Sequence, residues 1–127
     1  MATILVIDDH AHIRTIINDF LKIGGYEVDL AEDGKTAMKL AEQKAYDLVI
    51  TDIIRPDYDV FDIIRGLKRL YPAVKIIAIT GGGALHSSGE LMDACKLFGA
   101  DRALPKPLDL LKLQEVMKEL LSMKEVL

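Results

Sequence analysis

Residues 47–52 read Asp47-Leu48-Val49-Ile50-Thr51-Asp52. An apolar run that does not alternate with polar residues belongs to a parallel strand covered by helices on both faces, and here it stops on a carboxylate. The same form recurs at Ile4 to Ile7, followed by Asp8-Asp9, and at Lys75 to Thr80. Weaker strand patterns occupy Tyr26 to Leu30 and Arg102 to Leu104, the latter running into Pro105-Lys106.

Each strand is followed by a stretch with helical spacing. The first places Ile13, Ile16, Ile17, Phe20 and Leu21 on one face and stops at Gly24-Gly25, where glycine supplies a left-handed cap. The second turns Ala37, Leu40 and Ala41 inward from a start near Gly34. The third begins near Asp59, packs Val60, Ile63, Ile64 and Leu67, and ends before Pro72. A capping box, Ser87 with Glu90, opens the fourth, and the fifth runs from Asp109 to Lys124 with Leu113, Val116, Met117, Leu120 and Leu121 inward. Five strands alternating with five helices predict an α/β fold with a doubly wound, five-stranded parallel sheet.

Composition agrees with one unit spanning residues 1–127. Half of the 127 residues are apolar, enough for a core without staples, and 28 % are charged with both signs present. A net charge of −4 argues against a nucleic-acid surface. The single cysteine, Cys95, excludes an internal disulfide framework and fits a buried apolar position. No apolar run reaches the length of a membrane span, and Met1-Ala2-Thr3 leads directly into a strand pattern, so a cytoplasmic location is the expectation.

In an open parallel sheet, ligands bind beyond the carboxyl ends of the strands. Those ends carry Asp8-Asp9, Asp52, Thr80 and Lys106. Carboxylates gathered at one edge repel, and a hard divalent cation relieves this; oxygen donors with retained water suit Mg²⁺. Lys106 then either balances the acidic charge or grips an oxygen of a phosphoryl group, and Thr80 donates a hydrogen bond to the same group. Asp52 is the best nucleophile of the set, because an aspartate carries a phosphoryl group as an acyl phosphate. Each residue alone has a structural reading, as a helix cap, a turn residue, a strand end or a solvated charge. Their convergence from four strand ends is what favours a phosphoryl-transfer site.

At these residues the chain resembles the receiver domain of bacterial response regulators. The matching segments are residues 4–10 (Ile-Leu-Val-Ile-Asp-Asp-His), residues 47–52 with Pro56, residues 77–81 (Ile-Ala-Ile-Thr-Gly), Gly99-Ala100-Asp101 and Leu104-Pro105-Lys106-Pro107. The resemblance implies a flavodoxin-like sheet of order 2-1-3-4-5. It also implies Asp52 as phosphoacceptor, Asp9 as a direct Mg²⁺ ligand, Asp8 as a mainly water-mediated one, and the backbone carbonyl of Ile54 as a third. Thr80 becomes the hydroxyl that follows the phosphoryl group and Lys106 its counter-ion. The implied donor is a phosphohistidine on a histidine kinase or phosphotransfer protein, and the implied output is contact with a downstream protein that the sequence does not name. A cis bond at Lys106-Pro107 is common in the family.

Three departures from the family pattern stand out. Ala103 occupies the position of a customary aromatic switch, Arg55 and Asp57 stand in a loop that usually carries glycine, and Gly81-Gly82-Gly83 opens a long connection to the fourth helix. The triple glycine lacks the lysine and hydroxyl of a nucleotide-binding loop. His10 and His12, two residues apart on the first helix, do not have metal-site spacing, and His10 is read as a neighbour of the pocket. The expectation is therefore a receiver that is not an enzyme beyond assisting its own phosphorylation and dephosphorylation. Two alternatives remain: a phosphorylation-independent scaffold, which Ala103 favours, and a phosphatase, against which Ile54 stands where a second acid is common.

Overall fold

The computed structural model describes residues 1–52, 60–80 and 99–125. In chain order these form β1 (Thr3–Ile7), α1 (Ala11–Ile23), β2 (Glu27–Ala31), α2 (Gly34–Gln43), β3 (Leu48–Asp52), α3 (Val60–Leu70), β4 (Lys75–Thr80), β5 (Arg102–Pro105) and α4 (Leu110–Glu125). All five strands are parallel, in the order β2-β1-β3-β4-β5. The described residues hold four helices rather than five. The helix expected from Ser87 lies outside them, together with Cys95, Arg55, Ile54 and the glycines at 81–83.

The unbroken apolar runs arise because the sheet has no solvated face. Successive side chains of a strand point to opposite sides. On β1, Ile4 and Val6 join one apolar cluster with Ile17 and Leu21 of α1 and with Leu113, Val116 and Met117 of α4. Leu5 and Ile7 join the other, with Ala37 and Ala41 of α2 and Ile64 and Leu67 of α3. Burying each such Leu or Ile contributes about 1.5–3 kcal/mol relative to exposure. A polar residue at any of these strand positions would have no water to meet.

Helix ends follow local chemistry. α2 starts at Gly34 as its spacing suggested, and the Asp33 carboxylate before it accepts the Thr36 N–H at 2.7 Å as the cap. Asp109 accepts from the N–H groups of Leu111 and Lys112 at 3.0 and 3.2 Å, so it caps α4 rather than opening it. After α1 it is Gly25, at φ +90°, that takes the left-handed conformation, while Gly24 remains right-handed. Ile16 departs from expectation: it is half exposed, on the wall of an open groove of about 510 Å³ between α1 and the β5–α4 connection. Its position at the margin of the helix's apolar stripe explains this, since the core-facing residues of α1 are Ile17 and Leu21.

Strand register sets up the site. Ile7 pairs with Thr51, Asp52 with Ile79, and Thr80 with Pro105, so β1, β3, β4 and β5 finish nearly level. Asp101 holds the β4–β5 edge from the other end of the sheet. Its carboxylate accepts the Ile76 N–H at 2.8 Å and pairs with Lys68 Nζ of α3 at 2.9 Å.

Candidate functional site

Because the strands end level, the residues at or just past their last pairs gather at one edge of the sheet. Asp52 ends β3 at 2 % exposure, and Asp8 follows β1 at 4 %. Asp9 is the solvent-facing member of the acidic set. Thr80 ends β4 fully buried, with its hydroxyl donating to the Leu104 carbonyl at 3.3 Å. Lys106 is placed by its own backbone, whose N–H donates to the Thr80 carbonyl at 2.8 Å. Its Nζ then reaches back across the sheet edge to Asp52 Oδ2 at 2.7 Å. The following Lys106-Pro107 bond is cis.

Asp8, Asp9, Thr80, Lys106 and Asp52 are thus brought together, as their strand-end positions suggested. Ile54, whose carbonyl the resemblance adds, lies outside the described residues. The ion pair accounts for one of the two possible jobs of Lys106, since in this state it balances the Asp52 charge. The residue at the start of α1 is His10, whose own side chain makes no cap bond. Asp8 serves that start in part, its Oδ1 accepting the His10 N–H at 2.8 Å while its carbonyl accepts from Arg14 Nη1 at 2.6 Å, whereas Asp9 faces His10 Nδ1.

His10 is where the spacing argument fell short. The residue lies ahead of α1, not on it, so helical periodicity does not govern where its ring points. Its Nδ1 sits 3.0 Å from Asp9 Oδ1 and 3.2 Å from Asp8 Oδ1, and its ring meets that of His12 edge-on at 5.9 Å. One donor atom from each of Asp8, Asp9, His10 and Asp52 lies within 4.8 Å of the others. The only sequence signal for this was adjacency to Asp8-Asp9 at a strand end.

Three carboxylates in this space, two of them buried, leave an acidic excess that Lys106 alone does not cancel. The donor chemistry fits a divalent cation, with Asp9 and open water positions on the solvent side. Ala103, at the aromatic position of the resemblance, is buried within the cluster beneath α2 and α3.

Comparison with known proteins agrees with this arrangement. A family model described as the response regulator receiver domain matches residues 4–118. The DNA-binding transcriptional regulator NtrC of a Bradyrhizobium strain is 35 % identical over 111 residues, 87 % of this chain and 22 % of that protein. The transcriptional regulatory protein ZraR of Salmonella typhimurium is 34 % identical over 119 residues, 94 % of this chain and 26 % of that protein. The chain therefore spans about a quarter of the length of these curated relatives. Among solved structures, a receiver domain protein from Clostridium thermocellum superposes with a TM-score of 0.88 at 30 % identity, covering 99 % of this chain and 98 % of that one. The chemotaxis response regulator CheY4 of Vibrio cholerae gives 0.83 at 27 % identity, covering 94 % and 98 %. Among the described residues no helix is long and apolar enough to cross a membrane.

Proposed function

The chain belongs to the response regulator receiver domain family of two-component systems, and from that premise we propose that it takes a phosphoryl group onto Asp52 and signals by protein contact. The observation that carries this reading is the Lys106 Nζ–Asp52 Oδ2 pair at 2.7 Å beside the Asp8 and Asp9 carboxylates. An Asp52 oxygen attacks phosphorus of a phosphohistidine on a histidine kinase or phosphotransfer protein. The new P–O bond forms as the P–N bond breaks, and the imidazole leaves with the bond pair.

Asp8, Asp9, Asp52 and the Ile54 carbonyl would hold Mg²⁺, which, when bound, neutralises charge developing on the phosphoryl oxygens. Lys106 contributes from the other side, moving from the Asp52 carboxylate to a phosphoryl oxygen as the negative charge migrates outward. Thr80 exchanges its hydrogen bond to the Leu104 carbonyl for one to the phosphoryl group. That exchange requires a small rotation at the β4–β5 edge, which is where the modified state differs from the unmodified one. The domain acts on no separate substrate; it assists only its own phosphorylation and dephosphorylation. Its partners are the phosphodonor protein and a downstream protein, and this chain itself contacts no nucleic acid.

Incubation with acetyl phosphate and Mg²⁺, read by intact mass, tests the proposal. One added phosphoryl group that requires both Mg²⁺ and Asp52, and is absent in Asp52→Asn, is the expected result. No gain while Mg²⁺ still binds would overturn it in favour of a phosphorylation-independent scaffold.

A further inference from the structure

Resting on that reading, we propose that His10 is a ligand of the cation in the acidic cluster, and that its ring nitrogen gives the site a preference for a divalent first-row transition ion over Mg²⁺. With bonds of about 2.1 Å, neighbouring ligand atoms of an octahedral ion stand about 3.0 Å apart and opposite ones about 4.2 Å. His10 Nδ1 lies 3.0 Å from Asp9 Oδ1 and 3.2 Å from Asp8 Oδ1, close to the length of an octahedral edge. The donors of Asp8, Asp9, His10 and Asp52 fall within 4.8 Å, the span of one coordination shell after a small contraction.

The backbone holds the ring there independently of any ion. The His10 N–H is tied to Asp8 Oδ1 at 2.8 Å, and Arg14 fixes the Asp8 carbonyl at 2.6 Å, so the turn between β1 and α1 is held from both sides. The ring is 56 % exposed, so a shift of Nδ1 from a carboxylate to an ion has little packing to disturb. An oxygen-only set is suited to Mg²⁺, whereas imidazole nitrogen raises affinity for Mn²⁺, Co²⁺ and Zn²⁺ and adds little for Mg²⁺. His12 is the internal control. Its ring stands next to that of His10, and His12 is absent from the group of donors that close on one point.

The test uses the full chain with metal salts alone. Calorimetric titration with CoCl₂ and MgCl₂, at a pH where imidazole is neutral, compares wild type, His10→Phe and His12→Phe. Pulsed electron paramagnetic resonance of the Mn²⁺-loaded proteins reads nitrogen coupling directly. Loss of a group that merely orients a ligand costs about 10–100-fold in metal affinity, and loss of a ligand costs at least as much. The expected result is therefore a Co²⁺ affinity weakened by about tenfold or more in His10→Phe, with the preference over Mg²⁺ collapsing and the nitrogen coupling gone, while His12→Phe behaves as wild type. Equal Co²⁺ affinity in wild type and His10→Phe, or nitrogen coupling that survives in His10→Phe, would overturn the inference. If wild type takes a phosphoryl group with Mg²⁺ but shows no nitrogen coupling, only the role of His10 falls. If it binds neither ion, the metal part of the proposed function falls with it.

Discussion

Lys106 and Asp52 form a lopsided pair, the carboxylate almost wholly buried and the ammonium group about one-third exposed. Removing the lysine leaves Asp52 beside Asp8 with less positive charge to offset them, at a cost moderated by the water that reaches Lys106. Lys106→Met should lower unfolding free energy by about 1–2 kcal/mol in urea titrations without divalent cation. In an Asp52→Asn background that loss should shrink towards zero, because the charge that required the lysine is gone. A loss of equal size in both backgrounds would mean that the lysine acts through its alkyl stem instead. The same substitution should slow phosphorylation by acetyl phosphate, read as the rate of mass gain.

Among the elements, the β2 edge carries a polar cluster that spacing arguments had no means of finding. Tyr46 Oη donates to Asp29 Oδ2 at 2.7 Å, and Lys44 Nζ bridges Asp29 at 3.1 Å and Glu27 at 2.7 Å. Burial raises the Asp29 carboxyl, but the hydrogen bonds from Tyr46 and Lys44 and the lysine charge outweigh it, and its pKa ends below the ordinary value. Its contribution to stability is therefore complete above the ordinary carboxylate range and is lost as pH falls through the lowered value. Burial, and then the bond to Asp29, push the Tyr46 phenol well above its usual range. That contribution is complete below the ordinary phenol value of about 10 and is lost as pH rises through the raised one. Tyr46→Phe should cost about 1–2 kcal/mol near neutrality, and the difference in melting midpoint from wild type should narrow at strongly alkaline pH.

The cap of α2 rests on one carboxylate. Asp33→Ala removes the acceptor of the Thr36 N–H and should cost about 1 kcal/mol in chemical denaturation, with Asp33→Ser recovering most of it. The strands and the site were legible in the sequence because each rests on a strong local rule: a two-sided apolar run, and a polar residue where that run stops. Asp33, Ile16 and His10 were not. Asp33 precedes the periodic stretch it caps, Ile16 lies at the margin of an apolar stripe on the wall of a groove, and His10 occupies the turn between two periodic elements. Asp33 and His10 are placed by hydrogen bonds to chain neighbours two or three residues away, and Ile16 by the edge of a groove, none of which an apolar period encodes.

For the whole molecule, a net charge of −4 is less telling than the gathering of Asp8, Asp9 and Asp52 in one place. An ion that binds only the folded chain stabilises it by mass action, by about 2.7 kcal/mol at a hundredfold excess over its dissociation constant. The melting midpoint of wild type should therefore rise with Mg²⁺ and fall back with chelator. Asp8→Asn should respond weakly to Mg²⁺ and, without it, melt no lower than wild type, since one of two buried like charges has been removed. A full Mg²⁺ response in Asp8→Asn would place the ion elsewhere.

The contact between Lys106 and Asp52 spans 54 positions of chain, and Asp8 joins them from a third strand. No peptide cut from the sequence reproduces that neighbourhood, and an unfolded chain holds these groups apart on average. Labelling of Asp52 thus doubles as a census of native molecules. In partial denaturant, the fraction of chains that accept a phosphoryl group during a brief pulse should track the folded population, giving an unfolding curve counted by chemistry rather than by spectroscopy.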